Sequence, residues 1–250
     1  MNGALGNPRA DTGSGFSAVG LGKQYDGVTV ARNIHIAVRA GEIVGLFGRS
    51  GSGKSTIFGM MAGTLPPDAG RVVLDDADIG ILDVDKRARL GVGYIPQSPE
   101  LFSELTVAEN LQIAIEERVR GRADRRAAVD ELIAAYGLGR WRDRRVSALS
   151  GGERRQCEIA FVMSTQPRFM LLDEPFTGLD PIVSETVRSR IARMTQNGIG
   201  VLMTDHKVRE ALPLVDRAYI IDDGEIIAEG RPGELTVNDR VRAVYLGFGF

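Results

Sequence analysis

The octapeptide Gly48-Arg49-Ser50-Gly51-Ser52-Gly53-Lys54-Ser55 constrains this chain more than any other stretch. It satisfies the pattern G-x-x-x-x-G-K-[ST] at every fixed position, between an apolar run (Glu42 to Phe47) and a helix-like run (Ser55 to Ala62). The glycines at 48, 51 and 53 let the backbone curl so that successive N–H groups converge on one point, and the positive end of the next helix adds to them. Residues Gly48 to Thr56 therefore read as a cradle for a triphosphate. Lys54 would reach its β- and γ-phosphates, and the Ser55 hydroxyl would hold Mg²⁺. A Gly/Ser turn accounts for the glycines but not for the Lys-Ser ending.

A cradle of this kind needs an acid on a second strand to manage the metal. Phe169-Met170-Leu171-Leu172 is a fully apolar run of the sort found in parallel sheets, and Asp173-Glu174 follows it. Asp173 is placed to hold Mg²⁺, directly or through its water shell. That leaves Glu174 to orient the attacking water or take its proton, the general-base role of phosphoryl transfer to water.

The rest of the chain supplies the frame. Alternating runs from Phe16 to Val38 predict half-buried strands in a small antiparallel sheet, with Tyr25 in a turn. From Thr106 to about Phe161 the pattern is helical, opened by the capping box Thr106 to Glu109; this predicts a helical insertion. Gly200-Val201-Leu202-Met203 is a further apolar strand, reached through a helix that Asp180-Pro181 starts and Asn197-Gly198 ends. A hairpin around Asp223-Gly224 is expected between Ala218 and Ala228. Met1 to Ser14 read as a flexible leader, leaving 16–250 as one α/β domain whose helical part covers about 100–165.

Composition narrows the class further. With 31 basic and 33 acidic residues the net charge is −2, which predicts no electrostatic hold on nucleic acid or anionic lipid. Cys157 is the one cysteine, and its apolar neighbours suggest a buried structural thiol. No apolar run approaches the ~20 residues that span a bilayer, so a cytoplasmic protein is expected, with any membrane role coming through a partner.

Leu149-Ser150-Gly151-Gly152-Glu153 lies between the two strands' motifs. Ser150 and Glu153 fit a capping box that would expose the N–H groups of Ser150, Gly151 and Gly152 at the positive end of a helix, a second anion site. This pentapeptide resembles the motif of the ATP-binding-cassette (ABC) family. The resemblance covers about residues 17 to 247. It implies a phosphate-loop cassette fold with a RecA-like parallel-sheet core, an N-terminal antiparallel β subdomain and a helical subdomain. It also implies a homodimer in which Ser150, Gly151, Gly152 and Glu153 of one subunit close over the ATP held by the other. By the same resemblance Tyr25 is similar to the aromatic that stacks on adenine, and Gln97 to the residue that contacts Mg²⁺ and water. Asp180, in Thr177-Gly178-Leu179-Asp180, resembles the loop linking the two sites across the dimer, and His206 the γ-phosphate switch. Phe161-Val162 departs from the family's usual Arg-Ala pair and puts a helix-packing contact in question; Arg49 and Ser50 also differ from the closest subfamily.

Within the family, the likeness is most detailed to the ATPases of lipopolysaccharide export. It rests on Asp75 to Ile79, Arg87 to Tyr94, Thr204 to Leu212 and the ending Val244-Tyr245-Leu246-Gly247. It implies two integral inner-membrane partners, a place on the cytoplasmic face of the inner membrane, and a partner groove for which Leu101 and Phe102 are the candidates. Branched-chain amino-acid importers have ATPases of similar build and a comparable ending, and are the alternative. Soluble cassettes acting on nucleic acid typically add a second cassette, coiled-coil arms or zinc cysteines, and the sequence has none of these.

Overall fold

A computed structural model of the chain describes residues 15–98, 101–116, 118–206 and 208–243, without the side chains of Arg209 and Glu210. The leader Met1 to Ser14, Lys207 and the ending Val244-Tyr245-Leu246-Gly247 lie outside the described residues.

Strands β1 (Gly15–Tyr25) and β2 (Val28–Arg39) pair antiparallel around Asp26-Gly27. Both turn residues have positive φ (48° and 81°), the requirement of a two-residue turn whose twist matches the strands. After β3 (Ile43–Gly48) and helix α1 (Lys54–Ala62), β4 (Ala69–Leu74) and β5 (Ala77–Asp78) return to complete a four-stranded sheet in the order β2-β1-β4-β5.

Helix α2 (Val84–Arg89) leads into β6 (Val92–Ile95). Beyond it come helices α3 (Val107–Ile115), α4 (Arg122–Ala135) and α5 (Gly151–Met163), then β7 (Phe169–Asp173), α6 (Pro181–Gln196), β8 (Gly200–Thr204), β9 (Arg217–Asp222) and β10 (Glu225–Gly230). The second sheet has six strands in the order β10-β9-β3-β8-β7-β6, parallel except for the β9–β10 hairpin. Every residue of β3, β7 and β8 is buried, which is why these strands are apolar up to the closing Asp173 of β7 and Thr204 of β8 instead of alternating.

Helix α1 is buried through Ile57, Phe58, Met60 and Met61, in one core with Phe16, Leu21, Ile34 and Ile36 of the small sheet and Leu46, Leu171 and Leu202 of the large one. It is clasped between the two sheets. On the opposite face, Val187, Ile191 and Met194 of α6 pack on Met170, Leu172, Val201 and Met203. The helical stretch has a core of its own, in which Leu111, Ile133, Trp141 and Cys157 meet. Burial pushes the Cys157 thiol up to about 12, so it behaves as an apolar filler.

One buried cation anchors the far end of α1. Arg87 is 1% exposed, and its guanidinium donates to the carbonyls of Met60, Met61, Gly80 and Leu82 at 2.7–2.9 Å. The first two are unpaired helix-end acceptors, so a positive group sits at the negative end of α1. Burial pulls the Arg87 pKa down to about 10 without discharging it near neutrality.

Candidate active site

The phosphate loop is shaped from behind. Gly53 has φ +101°, and a Cβ there would meet the Val30 carbonyl at 2.4 Å, so only glycine fits between loop and small sheet. From the other side the Gly224 N–H, in the β9–β10 turn, donates to the Ser52 carbonyl at 3.1 Å. The sequence predicted that hairpin but not that it braces the loop.

Lys54 is 8% exposed and donates to the carbonyls of Gly48 (2.8 Å) and Arg49 (2.7 Å). The ammonium therefore lies within the curl of its own loop. Burial lowers its pKa, while Glu174 and Asp173 oppose the shift. Ser52 Oγ is buried with no hydrogen-bond partner among the described residues, a donor and acceptor within the same loop.

Asp173 ends β7 at 6% exposure. Desolvation first, and the charge of Glu174 second, push its carboxyl up to about 6, although Arg155 and Lys54 pull the other way. A buried carboxyl held that high beside a second acid suits a hard divalent cation, and Ser55 stands exposed in the first turn of α1, which the phosphate loop opens. The residues present fit Mg²⁺ as well as a polyphosphate.

Glu174 adopts φ 48°, a left-handed conformation that costs a non-glycine residue about 1–3 kcal/mol. The strain turns its carboxylate into a cluster. Glu174 Oε2 accepts from Gln97 Nε2 at 2.8 Å and from Thr177 Oγ1 at 3.0 Å, and lies 3.4 Å from His206 Nδ1. Three residues far apart in sequence, Gln97, Glu174 and His206, thus converge as expected. Thr177, which also lies 3.4 Å from His206 Nδ1, was not singled out in the sequence.

Arg155 was missed as well. It is 7% exposed, forms an ion pair with Glu158 at 3.0 Å, and donates to the carbonyls of Pro96, Asp173, Glu174 and Pro175 at 3.2–3.4 Å. One guanidinium thus fastens α5 to the backbone that carries both acids and to the residue before Gln97. Its signal was an Arg and a Glu three apart, with Ile159 next to them, on one face of a capped helix.

The capping box expected at the start of α5 is present. Ser150 N–H donates to Glu153 Oε2 at 2.9 Å and Glu153 N–H to Ser150 Oγ at 3.4 Å, so the expectation of an exposed Ser150 N–H is corrected: the cap engages it and leaves Gly151 and Gly152 to present theirs at the start of α5. The two glycines differ. A Cβ on Gly151 would meet nothing within 4 Å, whereas one on Gly152 would strike Val183 at 2.8 Å. Gly152 thus has a role inside the chain as well, the close approach of α5 to α6. Asp180 caps α6 by accepting from the N–H groups of Ile182 and Val183 at 2.9 Å. Among the described residues no hydrogen bond or ion pair joins Ser150–Glu153 to the phosphate loop.

Tyr25 ends β1 at 45% exposure, with Lys23 Nζ 5.8 Å from its ring centroid. The ordinary expectation for such a tyrosine, a ring buried in the sheet, is corrected by that exposure. Of the two groove candidates, Leu101 lines a cleft of about 160 Å³ together with Val84, Tyr94, Phe161 and Val162; Phe102 does not line it and is half exposed. Phe161 and Val162 are themselves part of this wall, Val162 packing so close to β6 that a Cβ on Gly93 would meet it at 2.7 Å.

Among the described residues no helix is long and apolar enough to cross a membrane. The family model described as "ABC transporter" matches residues 31–177. LptB of Escherichia coli K12, the lipopolysaccharide export system ATP-binding protein, is 43% identical over 94% of this chain and 98% of its own length. An ABC transporter ATP-binding protein of Azorhizobium caulinodans is also 43% identical, over 94% of this chain and 84% of its own length. A solved dimeric structure of the cassette MJ0796 in a post-hydrolysis state, bound to ADP and Pi, superposes with a TM-score of 0.78 at 25% identity, covering 87% of this chain and 98% of that one. With these likenesses, and with a phosphate loop, a strained acid and a capped second anion site on the expected frame, the chain belongs to the ABC transporter family, as an ATP-hydrolysing nucleotide-binding subunit.

Proposed function

We propose that the chain acts as a homodimer that drives lipopolysaccharide export from the cytoplasmic face of an inner membrane, bound to two integral-membrane subunits. The observation that carries the dimer is that, among the described residues, no hydrogen bond or ion pair joins the two complementary half-sites within one chain. The phosphate loop has its cation and acids in cis, and at the exposed N-terminus of α5 Glu153 takes up the Ser150 N–H while Gly151 stands open, with space around it. The lipopolysaccharide assignment is supported by a relative of that function matched over 98% of its length.

In this reading the N–H groups of the loop and Lys54 hold the β- and γ-phosphates, while Tyr25 offers an exposed ring to the base. Ser55 and Asp173, with Gln97, hold Mg²⁺, which would neutralise charge on the phosphates. Glu174 orients the attacking water and accepts its proton, with Thr177 and Gln97 fixing the carboxylate and His206 beside it to sense the γ-phosphate. Ser150, Gly151 and Gly152 of the other subunit close the site, and loss of the γ-phosphate removes the charge both halves share. Asp180, capping α6 next to Val183, carries the loop that faces the partner's site. The cleft at Leu101 receives a segment of the membrane subunit.

The test is capture of tagged protein from detergent-solubilised membranes of its source, with the integral subunits identified by mass spectrometry. Two subunits of a lipid exporter are expected. Subunits of an amino-acid permease would replace the export reading with the importer one, and Phe102→Ala should weaken capture while ATPase activity persists.

A further inference from the structure

Two buried hydroxyls have no hydrogen-bond partner among the described residues, Ser52 Oγ and Thr204 Oγ1. The first belongs to the phosphate loop itself. The second closes β8 and is 1% exposed, after four residues that are glycine or apolar. A valine would fill the same space without stranding a donor, so the hydroxyl calls for a reason outside the packing.

Its place follows from the sheet. Strand β8 lies between β3, which runs into the phosphate loop, and β7, which ends in Asp173. Thr204 pairs with Leu46 on one side and with Asp173 on the other. Side chains alternate along a strand, and paired residues of parallel neighbours share a face. Leu46, Leu171 and Leu202 all pack in the core beneath α1; Asp173 and Thr204, two residues beyond the last two, belong to that same face. The threonine therefore stands on the floor of the nucleotide site, one strand spacing of about 4.8 Å from the acid. The two make no direct hydrogen bond, and such a spacing suits one intervening water.

We infer that Thr204 is a positioning residue for the metal, whose hydroxyl holds a water of the Mg²⁺ shell beside Asp173. This inference rests on the metal site proposed above. Mg²⁺ gives up its waters reluctantly and keeps several of them in most sites, so the protein has to receive those waters as well as the ion. A hydroxyl can accept from such a water or donate to it, and unlike a further acid it adds no negative charge next to the phosphates.

The experiment measures ATP affinity by calorimetry on Glu174→Gln protein, in excess Mg²⁺ and again in EDTA, with Thr204→Val or Thr204→Ser added to that background. Mg²⁺ should tighten ATP binding in the parent. Thr204→Val should cut that gain about tenfold and leave the affinity in EDTA unchanged, while Thr204→Ser, which keeps the hydroxyl, should stay within about twofold of the parent. Without nucleotide, Thr204→Val should melt no lower than the parent, because the hydroxyl it loses has no partner in the fold. An equal loss in Mg²⁺ and EDTA, no loss in either, a serine variant as weak as the valine one, or a valine variant that melts lower or does not fold would each overturn the inference. A parent that gains nothing from Mg²⁺ would remove the metal site itself, and this inference with it.

Discussion

The side-chain amide of Gln97 donates to Glu174 Oε2 across 2.8 Å, joining the loop that leaves β6 to the acid that follows β7. A carboxylate so held presents its remaining lone pairs in one direction. Gln97→Ala should therefore lower kcat about tenfold with little change in KM for ATP, the loss of a positioned base and not of binding. Gln97→Glu should be worse, because two carboxylates at that separation repel. Steady-state kinetics on the purified protein separate the two.

Asp173 ties stability to pH. Its folded pKa, about 6, lies above the ordinary carboxylate value of 3.8, so the folded chain binds the proton more tightly than the unfolded one. Stability from this group is therefore present at low pH and is lost as pH rises from about 4 to about 6. Asp173→Asn should stabilise the nucleotide-free protein at pH 7.5 by up to about 3 kcal/mol and give no gain at pH 4, while abolishing turnover. Urea melts at the two pH values check it.

Gly151 and Gly152 are neighbours with separable duties. Gly152→Ala should cost about 1–3 kcal/mol of stability through its collision with Val183, and Val183→Ala should restore most of it. Gly151→Ala has room and should melt like wild type, yet its methyl would stand at the exposed N-terminus of α5 and weaken ATP-driven association. Thermal melts and sedimentation on the same four proteins distinguish these outcomes.

Removing Arg155 takes an ion-pair partner from the buried Glu158 and one donor from each of four backbone carbonyls. Arg155→Met should destabilise the fold by about 3–5 kcal/mol, and Arg155→Met/Glu158→Leu by clearly less. Calorimetry of the single and double variants gives the comparison.

Much of the nucleotide site was legible because it is built from short motifs at strand ends. The apolar runs before Gly48, Asp173 and Thr204 announced three buried parallel strands, and each motif sits where its strand stops. Capping boxes at Thr106 and Ser150 were equally readable, since their bonds span three residues. What stayed hidden depends on contacts between distant segments. Thr177 and Arg155 look ordinary in sequence and matter through carboxylates and carbonyls that only the fold brings near. The brace of Gly224 on Ser52 and the fit of Gly152 against Val183 are of the same kind. Tyr25 and Phe102 show the converse, since alternation and apolarity do not reveal which rings remain exposed.

The central claim is that two copies each complete the other's site around ATP. Glu174→Gln, which keeps the phosphate grip but loses the base, measures it most directly by sedimentation with and without Mg-ATP. A shift from monomer to dimer that needs ATP, with turnover reduced by about 10²-fold or more, is predicted. A protein that stays monomeric at saturating Mg-ATP, alone and beside its membrane subunits, would contradict the account.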